Sequence, residues 1–252
     1  MPDISKKIKI KNHNINYILK NKKRNGPNFS IVFLSGYGST INGTKAMYIS
    51  SLQSRYGFEY IAFDYSGHGQ SSGNINDCIL EDWYYESLVI VKKIARYPVI
   101  IIGSSMGGWL GLLVAKKLKQ RIKAIIGIAT AADFTVEMVK NLGIKKKIFY
   151  WLTNKIYFSS IYAEKPYYFS KKFINNSKKF LILQNKINVT SKLVLLYGLK
   201  DEVVKINSQI KILDLLKSKE ASLYISKNSD HRMSSKKDLK TLEDMLVSYL
   251  LT

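Results

Sequence analysis

The chain has 252 residues, 46% of them hydrophobic, with 40 basic and 18 acidic side chains giving a formal net charge of +22. That length and apolar share suit one large α/β domain. No run approaches the roughly 18 apolar residues of a membrane span, which excludes an integral helical membrane protein, and the lone cysteine, Cys78, excludes an internal disulfide.

The opening stretch, MPDISKKIKIKNHNINYILK, is charged and lacks the apolar core of a signal peptide, so the expected location is the cytoplasm. Only Arg24, Arg55, Arg96, Arg121 and Arg232 are arginines, and the remaining basic residues are lysines. A groove built for phosphates favours the planar fork of Arg. The charge therefore reads chiefly as compositional drift in an Ile- and Asn-rich chain. No specific nucleic-acid partner is expected, only a weak pull toward anionic surfaces.

In chain order, KKIKIKN and NINYILKN alternate polar and apolar residues around Asn12-His13, the pattern of an exposed antiparallel hairpin. Six short, nearly continuous apolar runs follow: Phe29–Ser35, Phe58–Asp64, Pro98–Gly103, Ile122–Thr130, Lys192–Gly198 and Ala221–Ser226. Such runs suit strands buried on both faces. Helical periodicity marks Leu80–Arg96, Met106–Leu118, Ile206–Leu216 and Lys237–Leu250. Strand–helix alternation predicts a mostly parallel sheet with helices on both faces and the hairpin as an antiparallel edge. Residues 134–190 break the rhythm with lysines interleaved among aromatics, and read as a helical cap inserted into a single domain spanning 1–252. The aromatics Phe149, Tyr150, Trp151, Tyr157, Phe158, Tyr167, Tyr168 and Phe169 are expected to turn toward an acyl pocket.

The stretch IIIGSSMGGWLG, Ile100 to Gly111, carries Gly103-Ser104-Ser105-Met106-Gly107, a G-x-S-x-G between a strand and a helix. The middle serine of such a turn is exposed in a strained conformation, and side chains at Gly103 and Gly107 would clash. Ser105 is the candidate nucleophile, with the Met106 N–H facing the same space at a helix start. A serine needs a base. His13 lies in the hairpin and His68 in a glycine-rich loop, whereas His231 in NSDHRM follows the last strand, as the order Ser, acid, His demands. Asp201, at the end of the penultimate strand, is the candidate acid, with Asp133 as the alternative. FLSGYGST ends the first core strand, so the Tyr37 N–H is the natural second donor to an oxyanion. Cys78 reads as a structural thiol. No metal-ligand spacing and no dinucleotide fingerprint appear, so no metal and no cofactor are expected.

Together FLSGYGSTINGTKA, FDYSGHGQSSG, GSSMGGWLGLL, GIATAADF, YGLKDEVV and SDHRM resemble the α/β-hydrolase superfamily. Within it they are most similar to the branch of the mitochondrial palmitoyl-protein thioesterase that also cleaves acyl glucuronides, and its bacterial relatives. The resemblance implies a serine hydrolase of esters or thioesters, with Ser105, His231 and Asp201 as triad, Tyr37 and Met106 as oxyanion donors, and a small-molecule or acylated substrate. Two rivals stand beside it: a lysophospholipase- or peptidase-like hydrolase on the same triad, and a catalytically idle fold serving as a basic binding module.

Overall fold

The computed structural model describes residues 5–158 and 167–250. Residues 159–166 of the expected cap lie outside the described residues, as do 1–4 and 251–252, and so do the side chains of Phe158 and Tyr167.

The chain opens with β1 (Ser5–Ile10) and β2 (His13–Lys20), paired antiparallel across a tight turn. Then come β3 (Ser30–Leu34), α1 (Thr44–Tyr56), β4 (Glu59–Phe63), α2 (Leu80–Lys93), β5 (Val99–Ser104), α3 (Met106–Leu118) and β6 (Ile122–Ile128). The segment between the sixth strand and the next sheet strand holds α4 (Phe134–Lys140), α5 (Ile144–Thr153), β7 (Lys155–Phe158), β8 (Tyr167–Ser170) and α6 (Lys171–Ser177). The chain ends with β9 (Lys192–Gly198), α7 (Ile206–Leu215), β10 (Ala221–Ser226) and α8 (Lys236–Leu250).

The main sheet has eight strands in the order β1-β2-β4-β3-β5-β6-β9-β10. The β1–β2 and β2–β4 pairs are antiparallel and the rest are parallel. This is the expected α/β-hydrolase architecture, hairpin edge included. Alternate side chains of each strand serve opposite faces. On β3, Val32 and Leu34 join Trp83, Trp109 and Ile212 from α2, α3 and α7. Ile31 and Phe33 join Ile49, Leu52, Leu242 and Leu246 from α1 and α8.

The structure departs from the sequence reading in three places. Helix α1 was not expected: its inner face uses Ser50 and Gln53 beside Ala46, Ile49 and Leu52, so polar residues interrupt the apolar stripe. Strand β10 is not buried on both faces. It pairs only with β9 at the sheet edge and leaves Tyr224 and Ile225 exposed. The inserted segment is not all helix, because β7 and β8 form a small antiparallel pair in which Ile156 faces Phe169.

Helices α1 and α8 are joined by one buried carboxylate. Glu243 accepts hydrogen bonds from the hydroxyls of Tyr48 (2.7 Å) and Tyr56 (2.6 Å) and an ion pair from Arg55 (2.5 Å). Its side chain is 3% exposed, and the Tyr56 hydroxyl, then the Tyr48 hydroxyl, Lys240 and Arg55, pull its pKa from 4.5 to about 2. The carboxylate contributes stability above its unfolded pKa that is lost as pH falls through the folded one. Glu243→Gln should therefore cost about 2 kcal/mol at pH 7. Denaturant unfolding should find the gap between wild type and variant closing as pH drops from above 4.5 toward 2; a gap that does not change with pH would contradict this role.

Candidate active site

The strand β5 delivers the chain into α3 through Ser105, whose backbone sits at φ 54 and ψ −117. An L-residue holds such a conformation only where its surroundings enforce it. They do so here by close approach. A Cβ on Gly103 would collide with the carbonyl of Gly107, and one on Gly107 with the carbonyl of Leu34 at the end of β3. The Ser105 N–H is tied to Ile128 O (2.8 Å), and its carbonyl accepts from Ala131 (3.1 Å). Ser104, by contrast, is buried. Met106 is the first residue of α3, so its N–H belongs to the unpaired, partly positive start of that helix.

His231 reaches this serine from the loop after β10, with Nε2 3.1 Å from Ser105 Oγ. Its Nδ1 lies 2.8 Å from Asp201 Oδ2. The other carboxylate oxygen of Asp201 accepts the N–H groups of Val203 (2.8 Å) and Val204 (2.9 Å), and the Asp201 side chain is fully buried. The carboxylate is thus fixed in place before it meets the imidazole. Asp133, the alternative acid, is engaged elsewhere. Its carboxylate accepts from Ile182 (2.9 Å) and Leu183 (2.8 Å), pinning the chain where it returns to the sheet. Asp230 accepts the N–H groups of Arg232 and Met233 and closes the turn after His231.

The loop after β3 completes the site. Gly36 lies against the nucleophile: a Cβ there would sit 3.4 Å from Ser105 Cβ. Tyr37 follows, its ring packed on Phe169 (4.6 Å between centroids), Trp83 and His68. His68 is the residue that sequence reasoning passed over. Its Nε2 accepts the Gly38 N–H at 3.0 Å, while Nδ1 faces Ser66 O at 3.2 Å. These partners require a neutral ring with the proton on Nδ1. Burial supplies that state by lowering its pKa to about 4. The signal was present in SGHGQSSG, where a histidine sits among turn glycines. Asp64 anchors the far end of the same loop by accepting Ile41 N–H at 2.9 Å. Lys45, at the start of α1, donates to Arg232 O at 2.5 Å, so the loops of Tyr37 and His231 are also tied to each other.

A family model described as serine aminopeptidase, S33, matches residues 26–238. The chain belongs to this hydrolase family. Among curated relatives, mitochondrial palmitoyl-protein thioesterase ABHD10 from Rattus norvegicus is 35% identical over 237 residues, covering 89% of this chain and 77% of that protein. The Bos taurus protein of the same name is 34% identical over 230 residues, covering 89% and 75%. The solved structure of alpha/beta hydrolase domain-containing protein 10 from mouse superposes with a TM-score of 0.89 at 31% identity, covering 98% of this chain and 99% of that one.

The cap aromatics do not all turn inward. Phe169 is buried against Tyr37, and Tyr168 is half-buried. Phe149, Trp151 and Tyr157 are exposed instead, because α5 buries none of its residues. Among the described residues no three His, Cys, Asp or Glu side chains group so as to hold a metal ion, and no helix is long and apolar enough to cross a membrane.

His68 acts on Ser105 only through the loop it holds, so His68→Phe should lower kcat about tenfold, the equivalent of ~1.4 kcal/mol, with KM little changed. His68→Gln, which restores an acceptor near Gly38 N, should recover part of the loss. Steady-state kinetics on a soluble ester reads both; a rise in KM alone, or no recovery with Gln, would mean the ring only fills space.

Proposed function

We propose that this protein is a serine hydrolase that cleaves carboxylic esters or thioesters through an acyl-enzyme on Ser105. One observation carries the reading: Asp201, His231 and Ser105 form an unbroken hydrogen-bonded chain of 2.8 and 3.1 Å ending on a half-buried serine. As Ser105 Oγ attacks the acyl carbonyl, its proton passes to His231 Nε2. Asp201 holds the imidazole with its other proton on Nδ1 and stabilises the imidazolium. The Tyr37 and Met106 N–H groups receive the oxyanion. Collapse of the tetrahedral intermediate expels an alcohol or thiol, which takes the proton from His231. Water then attacks the acyl-enzyme, with His231 again as base, and frees the acid and Ser105. No cofactor enters these steps.

The names of the relatives support thioesters within this class. The rings of Phe134, Phe169 and Phe173, packed together beside Tyr37, are the natural bed for an acyl chain. The family description favours a peptidase as second reading. An aminopeptidase must seat a substrate ammonium group, for which a carboxylate is the natural partner. The strand-end carboxylates Asp133 and Asp201 and the neighbouring Asp230 already serve Ile182 and Leu183, His231, and Arg232 and Met233. A net charge of +22 further disfavours cationic substrates.

A panel of p-nitrophenyl esters, acyl thioesters and aminoacyl anilides decides between these readings, with esters or thioesters expected to be turned over fastest. Ser105→Ala should lower kcat by on the order of 10⁶ and abolish fluorophosphonate labelling. Ser104→Ala should cost far less, since Ser104 is buried away from the hydroxyl chain. Labelling that survives Ser105→Ala would refute the assignment.

Asp201→Asn should reduce kcat by roughly 10⁴, because the amide favours the wrong imidazole tautomer. Asp133→Asn should instead show its effect in thermal stability, through the weakened hold on Ile182 and Leu183. Kinetics and melting of the two variants, ranked the other way round, would transfer the acid role to Asp133.

A further inference from the structure

Helix α5 carries Ile144, Ile148, Trp151 and Leu152 at positions i, i+4, i+7 and i+8, a single stripe along one face. A stripe of this kind ordinarily packs on a core. This one faces outward, with exposures of 79, 56, 75 and 64%. Tyr150, on the far side of the helix, is the residue that packs toward the core. At about 100° per residue, Lys147 borders the stripe beyond Trp151 and Lys145 borders it beyond Leu152. Next to the stripe runs a shallow groove with Phe149, Ile156 and Tyr157 in it and Lys145, Lys146 and Lys155 around it. From Met138 to Ala163 the chain has no acidic residue and five lysines.

We propose that α5 docks this protein on an anionic lipid bilayer surface, with Ile144, Ile148, Trp151 and Leu152 among the acyl chains and Lys145 and Lys147 at the level of the phosphates. The chemistry of the face selects this occupant. A short helix lying in the membrane interface needs an apolar face to bury and cations to meet the headgroups. Tryptophan is at home at that depth, and lysine can bury its methylenes while its ammonium stays in the polar layer. A second copy is a poorer fit, because pairing two such faces sets lysine against lysine in a chain of net charge +22. Nucleic acid would satisfy the lysines and leave four large apolar side chains in water. The inference does not rest on the proposed hydrolase activity, since adsorption needs no turnover.

The test uses the full chain with vesicles of phosphatidylcholine alone or mixed with phosphatidylglycerol. Three tryptophans are present, and Trp83 and Trp109 are fully buried, so quenching by brominated phosphatidylglycerol reports Trp151. We expect quenching and co-sedimentation with the anionic vesicles, and neither with phosphatidylcholine alone. Ile148→Ser with Trp151→Ser should weaken sedimentation at least tenfold. Lys145→Gln and Lys147→Gln should each weaken it about fivefold, the ~1 kcal/mol carried by one basic residue near an anionic surface. Hydrolysis of a soluble short-chain ester should be unchanged in all of them. Absence of quenching overturns the proposal without recourse to any variant. Sedimentation that survives Ile148→Ser with Trp151→Ser overturns it too, by assigning the binding to overall charge. So does a dimer in sedimentation equilibrium that the same pair abolishes while vesicles bind nothing.

Discussion

The contact between Gly107 and the carbonyl of Leu34 sets the geometry of everything around Ser105. The start of α3 and the end of β3 approach so closely there that no Cβ fits between them. One contact thereby fixes two things. It holds the turn that keeps Ser105 at φ 54, a backbone state that costs of order 1–3 kcal/mol when nothing enforces it. It also starts the Gly36–Tyr37 loop directly beside the nucleophile, so the two N–H groups proposed as oxyanion donors come from the two segments that touch. A larger side chain at Gly107 would separate those segments and lose the turn and the loop together, and one at Gly103 would push the start of α3 away from β5.

The partners of Ser105 come from far along the chain, and the parallel sheet brings them in. His231 lies 126 residues from Ser105 and 30 from Asp201. In the sheet Ser104 pairs with Ile128, Ile128 with Leu196, and Gly198 with Ser226. Four strands thus end in line, and the loops leaving β5, β9 and β10 open on one edge. Pairing alone sets strand ends to a few ångströms, which is coarser than a hydrogen bond. The remaining precision comes from buried polar groups behind the loops. Glu243 ties α1 to α8, the helices that follow the Tyr37 and His231 loops, and Lys45 spans from α1 to Arg232.

Much of this was legible in the sequence, for identifiable reasons. The central strands are continuous β-branched runs because both faces are covered, and G-x-S-x-G is readable because sterics allow few residues in that turn. His231 and Asp201 stand out as candidates by chain order and by their position at strand ends. What stayed hidden depends on neighbours that a linear reading does not supply. Helix α1 presents Ser50 and Gln53 inward, and Gln53 donates to Asn21 O, a partner distant in the chain. His68 looks like a loop residue until Gly38 and Ser66 are seen on its two nitrogens. Asp133 and Asp201 both follow strands, and they part only in their partners, Ile182 and Leu183 for the one and His231 for the other. Periodicity revealed an apolar stripe on α5, but it says nothing about which side has something to pack on.

That last distinction gives the inserted segment two unlike faces. Toward the site, Phe134, Phe169 and Phe173 cluster beside Tyr37, and such rings in mutual contact are already satisfied. Toward solvent, α5 exposes side chains that would each gain about 1.5–3 kcal/mol on full burial. Ten residues are too few for a helix to persist in water unaided. Its hold on the body comes from Tyr150, from the turn at Asn154 that accepts Lys171 N–H at 2.8 Å, and from β7, which continues it directly. Ile156 of β7 faces Phe169 of β8, and Phe169 packs on Tyr37. The outward face and the loop beside Ser105 are thus joined through packed side chains, with one small pair of strands between them.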